Sequence, residues 1–380
     1  MDIKELRQII DNTDTQICEL FKTRMDASYK IAQYKKEHEL PVLAPIRERE
    51  ILAKVSNSVG PELETYARTL YNTIFDLSRS YQTKLMGNEN ESYKKILEAA
   101  ENTPKVFPKR ATVACQGREG AYSQLAAERL FATPSIVYNA TFEGVFRAVE
   151  SGLCEFGILP IENSTAGSVN SVYDLLIEHN VSIVRSVRVK VDHNLLTLPG
   201  AKLSDVKEIY SHQQAISQCS EFLATLKGVS VIPYDNTAGA AEAVSKARDK
   251  RCAALSSRFC AELYGLEIAK ESVQNVDNNY TRFICFTKEP RIYPGAERTS
   301  IMMVIPNKAG SLFRVLSKFN AIGLNLLKLE SRPIPERDFE SMFYFDVEES
   351  VNAPEFAELI YELENTCEKF KYLGTYTEII

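Results

Sequence analysis

Arg24 stands where an apolar helical seam asks for another Leu or Ile. Ile3, Leu6, Ile10, Thr13, Ile17, Leu20, Arg24, Ala27, Ile31 and Tyr34 follow one another at alternating steps of three and four, the spacing of a heptad seam. A guanidinium there must find an anion, because an unpaired buried charge costs several kcal/mol. Lys35 lies three turns further on and only about 20° round the helix, so both cations line one face. Arg7 projects about 100° away from Arg24 and suits a different site, such as one in a partner subunit. Arg47 and Glu48 open a second helix, and Ser78 and Gln82, four apart, share a face of a third. Residues 1–86 carry 13 Lys+Arg and 13 Asp+Glu, so the segment is neutral while its candidate interior is cationic. That interior can hold a small anion. If the charges are solvated instead, the helices are a coiled-coil dimeriser.

A second set of polar residues falls where strand-like runs give way to helices. Gln116-Gly117-Arg118-Glu119-Gly120-Ala121-Tyr122-Ser123 offers backbone N–H groups to an anion, although it is neither a P-loop nor a dinucleotide glycine motif. Pro160-Ile161-Glu162-Asn163-Ser164-Thr165-Ala166-Gly167-Ser168 repeats the arrangement, with Ser and Thr suited to cap the next helix. Tyr210-Ser211-His212-Gln213 and Asp235-Asn236-Thr237-Ala238 lie at the same kind of junction. Four such junctions at strand carboxyl ends point to one cleft. His212 is a chemically plausible acid there, and equally a structural strand-end histidine.

The elements that must position these residues fall into three patterns. Residues 1–86 read as helix: a first helix of some 30 residues, then two shorter ones near 46–56 and 61–85, broken by Pro45 and by Gly60-Pro61. A helix that long lacks an equal partner within one small subunit, so a helical dimer is expected. Residues 87–108 are a polar linker with one helical turn around 93–100. From 109 to 288, strands near 111–115, 156–160, 206–210, 229–234, 252–255 and 283–286 alternate with helical patterns. That predicts an α/β region with mainly parallel strands. The extended stretch 182–198 is expected to cross between two lobes. Residues 298–380 read strand, helix, strand, strand, helix, strand, the ferredoxin-like plan.

Composition bounds the rest. The 380 residues predict two or three domains. With 44% hydrophobic and 25% charged residues, the chain is neither low-complexity nor disordered. No apolar run approaches the ~18 residues of a membrane span, and Met1-Asp2-Ile3-Lys4-Glu5 is no signal peptide. A cytoplasmic protein without a membrane partner is expected. A net charge of −6 gives no field for nucleic acid. The eight cysteines include no Cys-x-x-Cys pair and read as small core hydrophobes. Four scattered histidines argue against a metal, and no cofactor is expected.

At the helical residues a resemblance becomes specific. Arg7, Arg24, Lys35, Arg47-x-Arg49-Glu50 and Ser78-x-x-x-Gln82 resemble the all-helical chorismate mutases across residues 1–86. The resemblance implies an interlocked dimer that rearranges chorismate to prephenate. Arg24, with Arg7 of the partner subunit, would hold the two carboxylates, and Lys35 and Gln82 the ether oxygen. Arg47, Glu48 and Ser78 would complete the pocket, with Glu48 on the substrate hydroxyl. Where relatives carry an Asp near that hydroxyl, this chain has Ala44.

The segments 160–164, 210–213 and Asn279-Tyr280-Thr281-Arg282-Phe283 resemble prephenate dehydratase across about 109–288. That family has two α/β lobes around a cleft, like type 2 periplasmic binding proteins. Its prephenate loses a carboxylate and a hydroxyl to give phenylpyruvate. The resemblance gives Thr281 the central role, as hydrogen-bond donor to the leaving hydroxyl. It gives Glu162, Asn163, Ser164, Ser211, Gln218 and Arg282 the task of orienting prephenate.

Asn307-Lys308-Ala309-Gly310-Ser311-Leu312-Phe313 and Leu329-Glu330-Ser331-Arg332-Pro333 resemble the ACT amino-acid-sensing domain across 298–380. The usual Gly-Ala-Leu-Val helix start is replaced by Gly310-Ser311-Leu312-Phe313. The resemblance implies phenylalanine as effector, held by Asn307, Ala309, Gly310, Ser311, Leu312, Glu330, Ser331 and Arg332. The expected whole is a bifunctional, phenylalanine-inhibited enzyme, a homodimer or higher homo-oligomer. Two rivals are a non-catalytic amino-acid-sensing regulator and a dehydratase with an inactive helical dimerisation domain.

Overall fold

The computed structural model describes residues 2–38, 40–86, 91–321, 323–334 and 340–380. The chain divides into two compact units. One comprises Met1–Lys94, Lys308–Ile322 and Pro354–Thr366, and the other Lys95–Asn307, Gly323–Ala353 and Cys367–Ile380. Residues 87–90, expected to begin the linker, lie outside the described residues.

The first unit begins with α1 (Ile3–Glu37), roughly 52 Å long at 1.5 Å per residue. α2 (Pro45–Val59) opens on proline, whose missing N–H costs nothing at a helix start. α3 (Glu64–Met86) packs against both. Cover reaches only the end of α1: Ser28 and Ala32 are buried, while residues 2–23 are all exposed. Most of the apolar seam therefore has no partner among the described residues. α4 (Glu91–Asn102) is three turns of helix where the sequence suggested one. Residues 93, 96, 97 and 100 give it an apolar stripe that its polar composition obscures.

The second unit carries two sheets. Its chain order begins β1 (Arg110–Gln116), α5 (Tyr122–Leu130), β2 (Thr133–Asn139), α6 (Phe142–Glu150), β3 (Phe156–Asn163), β4 (Gly167–Ser168), α7 (Asn170–Glu178) and β5 (Ser182–Lys190). The chain then crosses to a second sheet with β6 (Asn194–Thr197), β7 (Glu208–Ser211), α8 (Gln213–Gln218), α9 (Ser220–Ala224), β8 (Ser230–Pro233), α10 (Thr237–Ala247), β9 (Cys252–Ser256), α11 (Arg258–Tyr264) and β10 (Glu267–Lys270). It returns with β11 (Tyr280–Thr287). The expected crossing at 182–198 is thus made by β5 and β6.

The pairing is mixed, not mainly parallel. β1 runs parallel to β2 and β3, and β7 to β8 and β9, whereas β11 is antiparallel to β3 and β5, and β6 to β9 and β10. The antiparallel members are the strands by which the chain leaves one sheet and comes back. Each sheet has an apolar core, one around Phe146, Tyr173 and Phe286, the other around Leu196, Ala241 and Ala254.

The rest of the chain is β12 (Arg298–Val304), α12 (Ser311–Ala321), β13 (Asn325–Pro333), β14 (Ser341–Glu348), α13 (Pro354–Thr366) and β15 (Lys369–Ile379). The expected β-α-β-β-α-β order is present, with antiparallel strand order β13-β14-β12-β15. These strands do not stand alone, because β15 pairs in parallel with β5 and extends the first sheet. Gly374, at φ +138°, allows that approach: a Cβ there would collide with the Ile183 carbonyl. α12 and α13 belong to the helical unit, where α13 packs on α3 and Lys318 pairs with Glu362 at 2.7 Å. Among the described residues no helix is long and apolar enough to cross a membrane.

Candidate active sites

In the helical unit, Arg24 donates from Nη1 to Ser78 Oγ, and its guanidinium lies 5.7 Å from the Phe75 ring centre. Lys35 Nζ donates to the Val42 carbonyl at 2.6 Å. Burial lowers the pKa of both cations; Tyr71 and Glu48 oppose it at Arg24, and Glu48 at Lys35. Glu48 is itself held by Arg79, which also pairs with Asp76. Ser78 is buried, and so is Gln82 one turn further along α3, with its Oε1 unpartnered among the described residues. Inner faces of three helices thus bring Arg24, Lys35, Glu48, Ser78 and Gln82 together.

Two expected members stand apart. Arg7 is exposed, 17 residues before Arg24, or roughly 26 Å along the helix, so it lies outside the site around Arg24. Arg47 is exposed and pairs with Glu50 at 2.9 Å, since a one-residue step of about 100° turns it away from Glu48. Arg79 was missed. A half-buried Glu48 needs a cation, but nothing in the spacing named which one.

In the second unit, a ring of neutral side chains closes where the two sheets meet. Asn163 Nδ2 donates to Asn279 Oδ1 at 2.8 Å and to Thr281 Oγ1 at 3.0 Å. Asn279 Nδ2 donates to Gln218 Oε1 at 3.2 Å, and Gln218 Nε2 to Thr165 Oγ1 at 3.1 Å. The Thr165 hydroxyl returns to Asn163 Oδ1 at 2.8 Å, completing the ring. His193 Nε2 adjoins it, 3.0 Å from Gln218 Oε1, and burial lowers its pKa against the opposing Gln218 hydrogen bond. Thr281 receives the Asn163 N–H on its oxygen, which leaves its own hydroxyl proton for another acceptor.

Register decides which expected residues can join this ring. In the β3–β11 ladder Thr281 lies opposite Asn163, and Arg282 opposite Glu162. Opposite residues share a face and adjacent residues do not, so Arg282 and Glu162 point away from Thr281. Arg282 is 5% exposed and its Nη1 donates to Asp346 Oδ2 at 2.6 Å. Burial alone would lower the Arg282 pKa, but Asp346 outweighs it and holds it well above the ordinary value. Glu162 and Arg282, expected to orient prephenate, thus lie on the opposite face of the ladder from Thr281 and Asn163. Ser164 accepts from the Tyr280 N–H at 2.9 Å and donates to the Asn278 carbonyl at 3.0 Å, a backbone clamp. Ser211 is buried at the end of β7 and donates to the Leu255 carbonyl at 2.8 Å. His212 caps α8, its Nδ1 accepting from Gln214 N at 3.3 Å. Asn279, Thr165 and His193 are the members that sequence reasoning missed. Asn279 was visible in the quoted motif, whereas His193 sat in a featureless extended stretch.

The residues expected to hold an effector fall in both units. Asn307, Ala309 and Gly310 precede α12, and Ser311 and Leu312 open it; Gly310 has φ +80°. On β13, Glu330 accepts from Ser168, and Arg332 pairs with Asp174 at 3.0 Å. Alternation turns these two side chains to the first sheet and leaves Ser331 exposed. Glu330 and Arg332 are therefore engaged within the unit.

Comparison with known proteins adds an independent observation. A family profile for chorismate mutase type II matches residues 6–83, and one for prephenate dehydratase matches residues 113–291. The bifunctional chorismate mutase/prephenate dehydratase of Buchnera aphidicola subsp. Acyrthosiphon pisum (strain APS) is 31% identical over 97% of this chain and 95% of its own. Among solved structures, a protein described as GqqA, a novel type of quorum quenching acylase, is 33% identical with a TM-score of 0.64. It spans 70% of this chain and 97% of its own. The prephenate dehydratase of Arthrobacter aurescens, solved in complex with L-Phe, shares the fold at 24% identity and a TM-score of 0.64. Here the match covers 70% of this chain and 89% of the other.

Proposed function

The chain belongs to the bifunctional chorismate mutase/prephenate dehydratase family, and on that premise we propose which of its residues carry the two reactions. It is an enzyme of phenylalanine biosynthesis that rearranges chorismate to prephenate and then converts prephenate to phenylpyruvate.

The first reaction is pericyclic, with no nucleophile and no proton transfer, so catalysis comes from holding a reactive conformer and stabilising developing charge. Arg24 binds a substrate carboxylate, Lys35 and Gln82 meet the ether oxygen as its negative charge grows, and Glu48 takes the hydroxyl. The observation that supports this is a pair of half-buried cations without an ion-pair partner among the described residues. Arg7 of a second copy supplies the other carboxylate contact. The uncovered seam of α1, with Ile17 at 56% and Leu20 at 69% exposed, supports a homodimer. Arg47 and Ser78 take supporting parts, Ser78 by holding Arg24.

In the second reaction the ring carboxylate leaves as CO2 and the ring hydroxyl as hydroxide, which solvent protonates to water, driven by aromatisation. Thr281 donates a hydrogen bond to the departing hydroxyl, Asn163 fixes the Thr281 oxygen, and Gln218 and Asn279 complete the polar wall. The carrying observation is the Thr281 hydroxyl, whose oxygen is already hydrogen-bonded and whose proton is left to give. A threonine is too weak an acid to transfer that proton outright, so it acts as a donor.

Residues 298–380 act as an ACT-type, ferredoxin-like sensor of phenylalanine, which favours a less active state. The strand order supports this reading, and so does the relative solved with L-Phe. Supplying purified protein with chorismate and following prephenate and then phenylpyruvate tests both activities. Adding phenylalanine tests inhibition. Absence of turnover would sink the catalytic half, and prephenate turnover and thermal stability both unchanged by phenylalanine would sink the regulatory half.

A further inference from the structure

The ions of the second unit sit behind its neutral ring, and they are tied to the C-terminal strands. Arg282 reaches Asp346 of β14 at 2.6 Å and lies 3.3 Å from Glu162. Asp346 is fully buried; burial would raise its pKa, but Arg282 and a hydrogen bond from Ser300 pull it below the usual value. Lys328 Nζ of β13 lies 2.9 Å from both Glu162 Oε1 and Ser168 Oγ. Glu330 holds Ser168 as well, and Arg332 makes two hydrogen bonds to Asp174, at 3.0 and 3.1 Å.

Three alternate residues of one strand, 328, 330 and 332, thus grip positions 162, 168 and 174. The gripped segment carries Asn163 and Thr165 on its other side. Apolar packing, with the Tyr173 and Tyr344 rings 4.8 Å apart, is interrupted beside these ions by a cavity of about 420 Å³, lined in part by Glu162, Tyr280, Arg282, Lys328 and Asp346. At the cavity, charges held at fixed distances set the separation, and a buried pair that loses one member leaves an uncompensated ion.

We propose that Glu162, Arg282, Lys328 and Asp346 are positioning residues for prephenate dehydration. From the back of the sheet they hold the two strand ends whose front residues, Asn163 and Thr281, face the substrate. The assignment rests on the reading of Thr281 and Asn163 as the dehydratase site. A displacement of about 1 Å at a catalytic group can cost 100-fold in rate, so loosening the grip acts on turnover.

The test uses the full chain and reads prephenate and chorismate turnover on the same preparation. Lys328→Met lowers kcat for prephenate by about 10-fold or more, with KM within about twofold and chorismate turnover unchanged. Lys328→Arg keeps most of the rate. Ser168→Ala, which removes a small hydroxyl shared by Lys328 and Glu330, lowers kcat by about threefold and decides the matter if the methionine variant does not fold. Unchanged kcat in Lys328→Met or, failing its folding, in Ser168→Ala overturns the assignment. So does a raised KM at constant kcat, which would make these groups substrate ligands, or an arginine variant as slow as the methionine one. Thr281→Ala runs alongside: if it retains full prephenate turnover, the site reading itself fails, separately from the positioning.

Discussion

The two candidate sites use charge in opposite ways. In the helical unit, Arg24 and Lys35 have no carboxylate ion-pair partner among the described residues, and Glu48 is restrained by Arg79. In the second unit the hydrogen-bonded ring is made of neutral amides and hydroxyls, while Arg282, Lys328, Glu162 and Asp346 lie behind it. The chemistry accounts for the contrast. A rearrangement of a dianion with growing charge on an ether oxygen gains from fixed cations. An elimination that expels hydroxide gains from a donor beside the leaving group, and CO2 departs most easily from a carboxylate not clamped by a cation. Cations at the front of the second site would hold the carboxylate that has to leave.

Four outcomes would break or sharpen this contrast. The largest effect is expected from Thr281→Ala, with prephenate turnover falling about 10³-fold and chorismate turnover unchanged, the size seen when one preorganised donor is lost. A residual rate within tenfold of the parent enzyme would show that the donor lies elsewhere. Next, Lys35→Met should lower chorismate kcat/KM by about 10²-fold while sparing prephenate. Equal losses in both assays would mean that the two units do not work as separate sites. Asn163→Ala should cost about 10- to 100-fold in prephenate kcat, since it fixes the Thr281 oxygen without touching the leaving group.

The smallest effect is pH-dependent stability at His193. Burial holds its folded-state pKa below 6.5, so below about pH 6.5 the unfolded chain takes up a proton that the folded chain refuses. Stability is therefore flat above that pH and declines as pH falls through the window beneath it. Thermal melting from pH 7.5 to 5 should show this decline, and His193→Gln should flatten it. An identical acid profile in the variant would place the sensitivity in other groups.

Much of the architecture was legible in the sequence, because periodicity reports which residues are half-buried. The long first helix, the strand-to-helix junctions and the final β-α-β-β-α-β order all follow from spacings of 3.5 to 3.6 or 2. β2 was not legible, because Pro134 and its polar neighbours hide an edge strand. α11, only seven residues long, gives too short a pattern to register. Antiparallel pairing of the crossing strands was out of reach as well, since a strand's sequence does not state the direction of its neighbour.

The sequence by itself supplied part of both candidate sites: it contained Arg24, Lys35, Ser78 and Gln82 at helical spacing, and the segments around Asn163 and Thr281. It also required that Thr281 and Arg282, as strand neighbours, point to opposite faces. Only tertiary structure decided what each face meets. Register is a long-range property, and a slip of one residue would exchange every front side chain for its neighbour. The pairing of Thr281 with Asn163, 118 positions away in the chain, puts the hydroxyl in front. The burial of Asp346 beside Arg282 fixes the guanidinium behind.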